Sequence, residues 1–195
     1  GYSIGRAALN AAVKAYEKRG PFTILPELIV DKWQLIRFND VVNHVYSSDD
    51  YRGLIASLTN AVVDAAAEDV ICCEILYQAG LEMAQQVIAI FGRDQIPDDV
   101  PIMVAGSVWK DNPFMFRAFH QAVTKAIPGC VIYFPWYEAV IGGVIAFLYE
   151  QKEVIEEELI QKIKTYYPDF RYNVGRSEQL LNEKAFQNVR IGPDC

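Results

Sequence analysis

Histidine, cysteine and positive charge are all scarce in this chain of 195 residues, and each shortage removes a class of chemistry. The two histidines, His44 and His120, stand singly on helical patterns and are assigned no chemistry. The four cysteines, Cys72, Cys73, Cys130 and Cys195, have no C-x-x-C spacing and no histidine nearby, which excludes a zinc site. Cys72 and Cys73 are neighbours in a helical pattern, where successive side chains diverge by about 100°. They read as reduced thiols packed like small apolar groups, as in a cytoplasmic protein. Lys and Arg number 18 against 25 Asp and Glu, a net charge of −7. That balance excludes nucleic acid and anionic membrane as partners, since both need a basic face; a local basic pocket around a phosphate stays open. Long apolar runs are missing too. The longest, Ala139 to Tyr149, is too short to cross a bilayer, and no stretch reads as a signal peptide. Gly-x-x-Gly phosphate loops are absent.

What is present describes a globular chain. It is 52% hydrophobic and 22% charged, and long enough to bury a core as one domain or one lobe of something larger. The opening "GYSIGRAAL" enters a helix without an initiator methionine, so a longer parent protein is expected.

Periodicity lays out the elements. Gly5 to Lys18 predicts a helix that stops at Gly20-Pro21, and Leu25 to Leu35 a second with Pro26 in its first turn. A short helix through Tyr46 is capped by Asn39 or Asp40, and another is expected over Leu54 to Ala67. Asp69 caps the longest, about Val70 to Phe91, whose core stripe is read as Ile71, Ile75, Ala79, Met83, Val87 and Phe91, widened by Leu76, Ala84 and Ile88. Then "VPIMVA" and "CVIYF" predict strands buried on both faces. Between them Asp111 or Asn112 caps a helix with Pro113 at its first position, running to about Ala126. A last helix over Glu138 to Glu150 is expected to break at Gly142-Gly143, where it would approach the sheet closely. Strand, helix, strand, helix is a parallel βαβ unit, so the fold class is α/β. "KEVIEEELIQKIKTYY" predicts an amphipathic helix docked on the lobe; beyond Pro168 loops are expected, with a short helix near Glu178 to Phe186.

The turn "VAGSVWKDNP" carries the chemistry. It lies beyond the carboxyl end of a parallel strand, where ligands bind in open α/β sheets. Gly106 has no Cβ to keep a flat ring off the backbone, and Ser107 offers a hydroxyl to a ribose or phosphate oxygen. Trp109 could cover a purine or fill the core, and Lys110 could meet a phosphate or water. The helix that follows directs its positive end at the turn.

"GSVWK" after a buried strand resembles the adenosine motif of the N-acetylglucosamine kinases, part of the sugar kinase, actin and heat-shock ATPase superfamily. Four further pieces are similar in the same order. "GYSIGRAAL" resembles the end of the family's "GDEGSxYWI" segment, and "YRGLI" the segment with a nucleotide-contacting glycine. "AEDVICCEILYQAGLEMAQQVIAIF" resembles its long helix with a small-residue pair, here Ala79-Gly80, and "EAVIGGVIAFLYE" its closing "SALGGAxLGA" helix. The resemblance implies that residues 1–150 are the C-terminal, nucleotide-binding lobe of a ribonuclease H-like, actin-like ATPase, with 151–195 a helical extension packed on it. It implies that Gly53, Gly106, Ser107, Val108, Trp109 and Lys110 line an ATP site, and that Gly1 edges an amino-sugar pocket. ATP with Mg²⁺ is the implied cofactor and an amino sugar the implied substrate; a homodimer is expected. The family's Asp-Gly-Gly-Gly-Thr phosphate loop, its second phosphate turn and its general-base aspartate fall before residue 1 in the family pattern, so no catalytic residue is assigned in this chain. Ser3 stands where the family has tryptophan. Two alternatives remain: a BadF/BadG-type ATPase that activates a partner enzyme, and a non-catalytic helical dimerisation module.

Overall fold

Helices fill the first half of the chain because its apolar residues recur at helical spacing, with Asp50 and Asp69 capping two of the helices. The computed structural model describes residues 1–150, 161, 165 and 170–191. Helices α1 (Tyr2–Tyr16), α2 (Leu25–Lys32), α3 (Val41–Tyr46), α4 (Tyr51–Ala56) and α5 (Leu58–Ala65) lead into the long α6 (Val70–Asp94). The helix expected over Leu54 to Ala67 is two, parted at Ser57. That hydroxyl donates to the Leu54 carbonyl (2.6 Å) and accepts from Trp33 Nε1 (3.3 Å), a tertiary bond that periodicity does not register.

Asp69 caps α6 as its position predicts, and does more. Its Oδ1 accepts from the Cys72 N–H (3.0 Å), while Oδ2 accepts from the Thr23 hydroxyl (2.7 Å) and the Ile24 N–H (2.8 Å). Burial pushes this carboxyl's pKa up, but these donors together outweigh burial and hold it below the usual range. Asp69→Ala strands the buried Thr23 hydroxyl and an N–H of α2's approach as well as the cap. We expect a loss of about 2–3 kcal/mol, roughly 5–10 °C in Tm, read by a thermal melt; an unchanged midpoint contradicts this role.

The second half is the βαβ unit. Strand β1 (Ile102–Met103), helix α7 (Pro113–Ala126), strand β2 (Ile132–Phe134) and helix α8 (Ala139–Glu150) follow in order, and β3 (Val189–Ile191) completes a sheet of order β1-β2-β3. All pairs are parallel, with Ile102, Ile132 and Val189 in register on one face and Met103, Tyr133 and Arg190 on the other. The first face is core. Phe134 meets Phe116 of α7 at 4.8 Å between ring centroids, within a cluster that holds Trp109, Phe119 and Phe186.

Three expectations are corrected here, and the α6 stripe is sharpened. The first strand is not covered on both faces: Met103 is 61% exposed, whereas Tyr133 beside it on β2 is half-buried. Residues 189–191 form a strand where a loop was expected, so part of the tail belongs to the sheet itself. Helix α8 runs unbroken through Gly142-Gly143, and among the described residues nothing stands within 4 Å of where their Cβ atoms would lie, so no close approach to the described sheet demands those glycines. In α6 the fully buried line is Cys72, Leu76, Gly80 and Ala84: Leu76 and Ala84, read in the sequence as widening the stripe, lie at its centre, and Ile71, Ile75, Ala79, Met83, Val87 and Phe91 are its half-buried flank. Small residues let α7 lie directly on that line. The amphipathic helix expected from Lys152 lies almost wholly outside the described residues.

His120 of α7 is buried in the aromatic cluster, 4.3 Å from the Phe186 ring between centroids. Asn188 Nδ2 donates to the Cys130 carbonyl (3.1 Å), so its Oδ1 faces His120 Nε2 (2.7 Å) and that nitrogen donates. Burial lowers the imidazole's pKa; the Asn188 bond opposes this but does not cancel it. An unfolded histidine protonates near pH 6.5, so below about that pH the unfolded chain binds a proton that the folded one refuses. Stability is therefore full above this range and falls as the pH drops through it. Urea midpoints at about pH 7.5 and 5 should differ more for wild type than for His120→Gln; equal differences would exclude this group as the cause.

Candidate functional site

The turn after β1 is shaped by three residues with unusual duties. The Val104 N–H donates to the Tyr133 carbonyl (2.9 Å). Gly106 then adopts φ 101°, ψ 162°, a region open to glycine and strained for any other residue. Ser107–Trp109 form a single 3-10 turn, and Asp111 takes φ 54°, which aspartate tolerates better than most. Asn112, fully buried, accepts from the Met115 N–H (3.3 Å) as the N-cap of α7 and donates through Nδ2 to the Val108 carbonyl (3.1 Å). One side chain thus joins helix start to turn, the role its place before Pro113 predicts.

Two other segments come to the turn. Thr59, Asn60, Val63 and Asp64 of α5 face Ser107, Val108, Lys110 and Asp111 across a cleft of about 370 Å³, and Arg176 of the tail closes one side. The cleft mixes hydroxyl, amide, carboxylate and two valines, at the small end of ligand-site volumes. Its cations are committed within the chain. Lys110 Nζ pairs with Glu138 and lies 5.0 Å from the Tyr172 ring centroid. Arg176 donates to Asp64 Oδ1 (2.8 Å) and stands 3.8 Å from Asp111 Oδ1. Tyr172 donates its hydroxyl to the Gly106 carbonyl at 2.6 Å. Burial first, then the Glu138 charge, pushes this phenol up to about 12, so it remains a donor at any ordinary pH.

The residues expected here from sequence divide. Ser107, Val108 and Lys110 line the cleft, and Gly106 sets the turn's course, with no heavy atom within 4 Å of where its Cβ would stand. Trp109 takes the other of its two roles. It is 3% exposed and packs on Phe119 (4.9 Å) and Phe116 (6.3 Å), so its indole fills the core instead of facing the cleft. Gly53 sits in the first turn of α4, its N–H on Asp50 Oδ1 (2.8 Å), and does not line this cleft. Gly1 lies just behind the α5 wall, where its carbonyl accepts from the Thr59 hydroxyl (3.0 Å). Thr59, Asn60, Asp64 and Arg176 were missed. The polar pair Thr59-Asn60 inside the apolar "LIASLTNAVV" was a readable signal; Arg176, 112 residues from Asp64, left none.

Other hollows exist, but they are less suited to a ligand of this kind. One of about 430 Å³ runs along α1 and α2 past Tyr16, Val30 and Phe38; another of about 700 Å³ borders the start of α6 and carries Glu68, Asp69 and Glu74. Neither gathers backbone and side chains from a strand end and two further segments, as the cleft at the turn does.

Ionic chemistry in the rest of the molecule is limited. Cys72 is fully buried, and burial, then Asp69, pushes its thiol up to about 12, which opposes the thiolate that an iron–sulfur ligand requires. Among the described residues no three His, Cys, Asp or Glu converge to hold a metal ion, and Asp64 and Asp111 are both engaged by Arg176. No helix among them is long and apolar enough to cross a membrane.

The chain is 31% identical over 147 residues to the N-acetylmuramic acid/N-acetylglucosamine kinase of Clostridium acetobutylicum. The alignment covers 74% of this chain and 48% of that protein, so the chain spans about half the length of the curated relative it matches. No family model matches the chain, and no solved structure matches it significantly. The likeness supports a place among the sugar kinases.

Proposed function

We propose that this chain is the nucleotide-binding part, an actin-like C-terminal lobe, of a kinase that transfers the γ-phosphoryl of ATP to an amino sugar. The observation that carries the reading is the cleft: residues 59–64, 107–111 and 176 meet beyond the carboxyl end of a parallel strand, at the "GSVWK" turn. The similarity to a kinase named for two amino sugars supports the substrate class.

The cleft's chemistry fits a nucleoside better than a phosphate chain. Val63 and Val108 offer an apolar rim to a base, while Ser107, Asn60 and the carboxylates suit sugar hydroxyls. Lys110 and Arg176 already face carboxylates and have no charge to spare. Bound ATP would supply the phosphoryl group; this chain's residues bind and orient its nucleoside end. In phosphoryl transfer such positioning carries much of the rate. Among the described residues no cluster of carboxylates fits the binding of Mg²⁺, and no residue is assigned as the base.

Titrating the chain with adenosine, ADP and ATP in a calorimeter should give saturable binding at micromolar to millimolar concentrations. No heat from any of the three would remove the reading and favour a ligand-free helical module. With N-acetylglucosamine added we expect no sugar phosphate; a phosphorylated product would show that the chain carries its own base.

A further inference from the structure

Five contacts tie residues 172–177 to the turn and a sixth ties them to α5, although these residues lie outside the sheet strands. The Tyr172 hydroxyl donates to the Gly106 carbonyl (2.6 Å), and the Lys110 ammonium lies over the Tyr172 ring. The Ser177 hydroxyl donates to the Trp109 carbonyl (3.3 Å), and the Asp111 N–H to the Val174 carbonyl (3.2 Å). The Arg176 N–H returns to Asp111 Oδ1 (2.8 Å), and its guanidinium crosses to Asp64 on α5. The tail therefore grips the turn along its length and links it to the opposite wall of the cleft.

We propose that Tyr172 and Arg176 are positioning residues for the nucleotide: Tyr172 fixes the course of the Gly106 turn, and Arg176 fixes the spacing of the Ser107–Lys110 wall from α5. This rests on the nucleotide reading of the cleft. The Arg176–Asp64 pair is largely solvent-exposed, with side chains 45% and 72% accessible, so it adds little to overall stability. Its use is geometric. A guanidinium held between carboxylates of two segments sets their separation, which a single sheet strand farther along the chain does not. The phenol's high pKa keeps the Tyr172 tie intact across the working pH range.

The test is nucleotide binding by the whole chain, with Tyr172→Phe, Arg176→Ala and, as a control in the same tail, Glu183→Gln. Glu183 pairs with Arg117 (2.8 Å) away from the cleft. Tyr172→Phe keeps the ring under Lys110 and removes only the hydroxyl, so it should fold even where a larger change does not. We expect the Kd for ADP to rise about fivefold in Tyr172→Phe and about tenfold in Arg176→Ala, with Glu183→Gln within about twofold of wild type. A tail that merely stabilises the fold would weaken binding in all three alike, and that result overturns the proposal. So do equal Kd values in all four proteins, which leave the nucleotide reading standing. A flat titration of wild type is a different result: it removes the nucleotide reading and the positioning role with it.

Discussion

Gly80→Ala is expected to lower the Tm of this chain by roughly 3–8 °C, although alanine is the better helix former. A Cβ at Gly80 would stand 2.2 Å from the Met115 carbonyl oxygen and 2.9 Å from the Ala118 Cβ. The first is main chain of α7 and cannot rotate aside. Helix propensity favours alanine by about 1 kcal/mol, whereas forcing two packed helices apart costs about 1–3 kcal/mol and occasionally more. Here the clash wins, because among the described residues α6 and α7 form the most extensive contact between elements, and Phe116 and Phe119 of the aromatic cluster lie on α7. Moving α7 also moves Asn112, and with it the turn that Asn112 holds. Circular dichroism melts decide the matter; a Tm equal to or above wild type would show that the crossing is looser than the structure has it.

Gly106→Ala is expected to act by another route and to strike binding hardest. Nothing lies within 4 Å of the missing Cβ, so no clash arises. The cost is backbone alone: φ 101°, ψ 162° disfavours an L side chain by about 1–3 kcal/mol. Relaxing φ would swing the Gly106 carbonyl off the Tyr172 hydroxyl and tilt the wall made by Ser107 and Val108. We expect a modest fall in Tm, roughly 3–8 °C, together with ADP binding weakened about thirtyfold or more. Equal affinity in variant and wild type would detach the turn from the ligand.

Much of the framework is written locally in the sequence. Asp69 before an apolar run, Asn112-Pro113 before another and Pro26 at a helix start each satisfy backbone groups within a few residues, so the pattern alone identifies them. The parallel pairing of the two apolar runs follows from the helix between them. The remainder depends on distant partners. Ser57 parts two helices because Trp33 reaches it, and "NVRI" becomes a strand only beside β2. The continuous apolar run could not tell that Met103 is exposed. The same limit applies to the site. "GSVWK" marked its turn, yet Trp109 turned inward, and the wall opposite came from Thr59 to Asp64 with Arg176 from the tail.

The most direct test of the nucleoside cleft is a ¹⁵N-labelled chain titrated with adenosine and followed by NMR. The account predicts shift changes concentrated at Thr59, Asn60, Ser107, Val108 and Lys110, fading toward Tyr16 and Phe38. Saturable changes centred on the α1–α2 hollow, with the Ser107–Lys110 amides still, would contradict it.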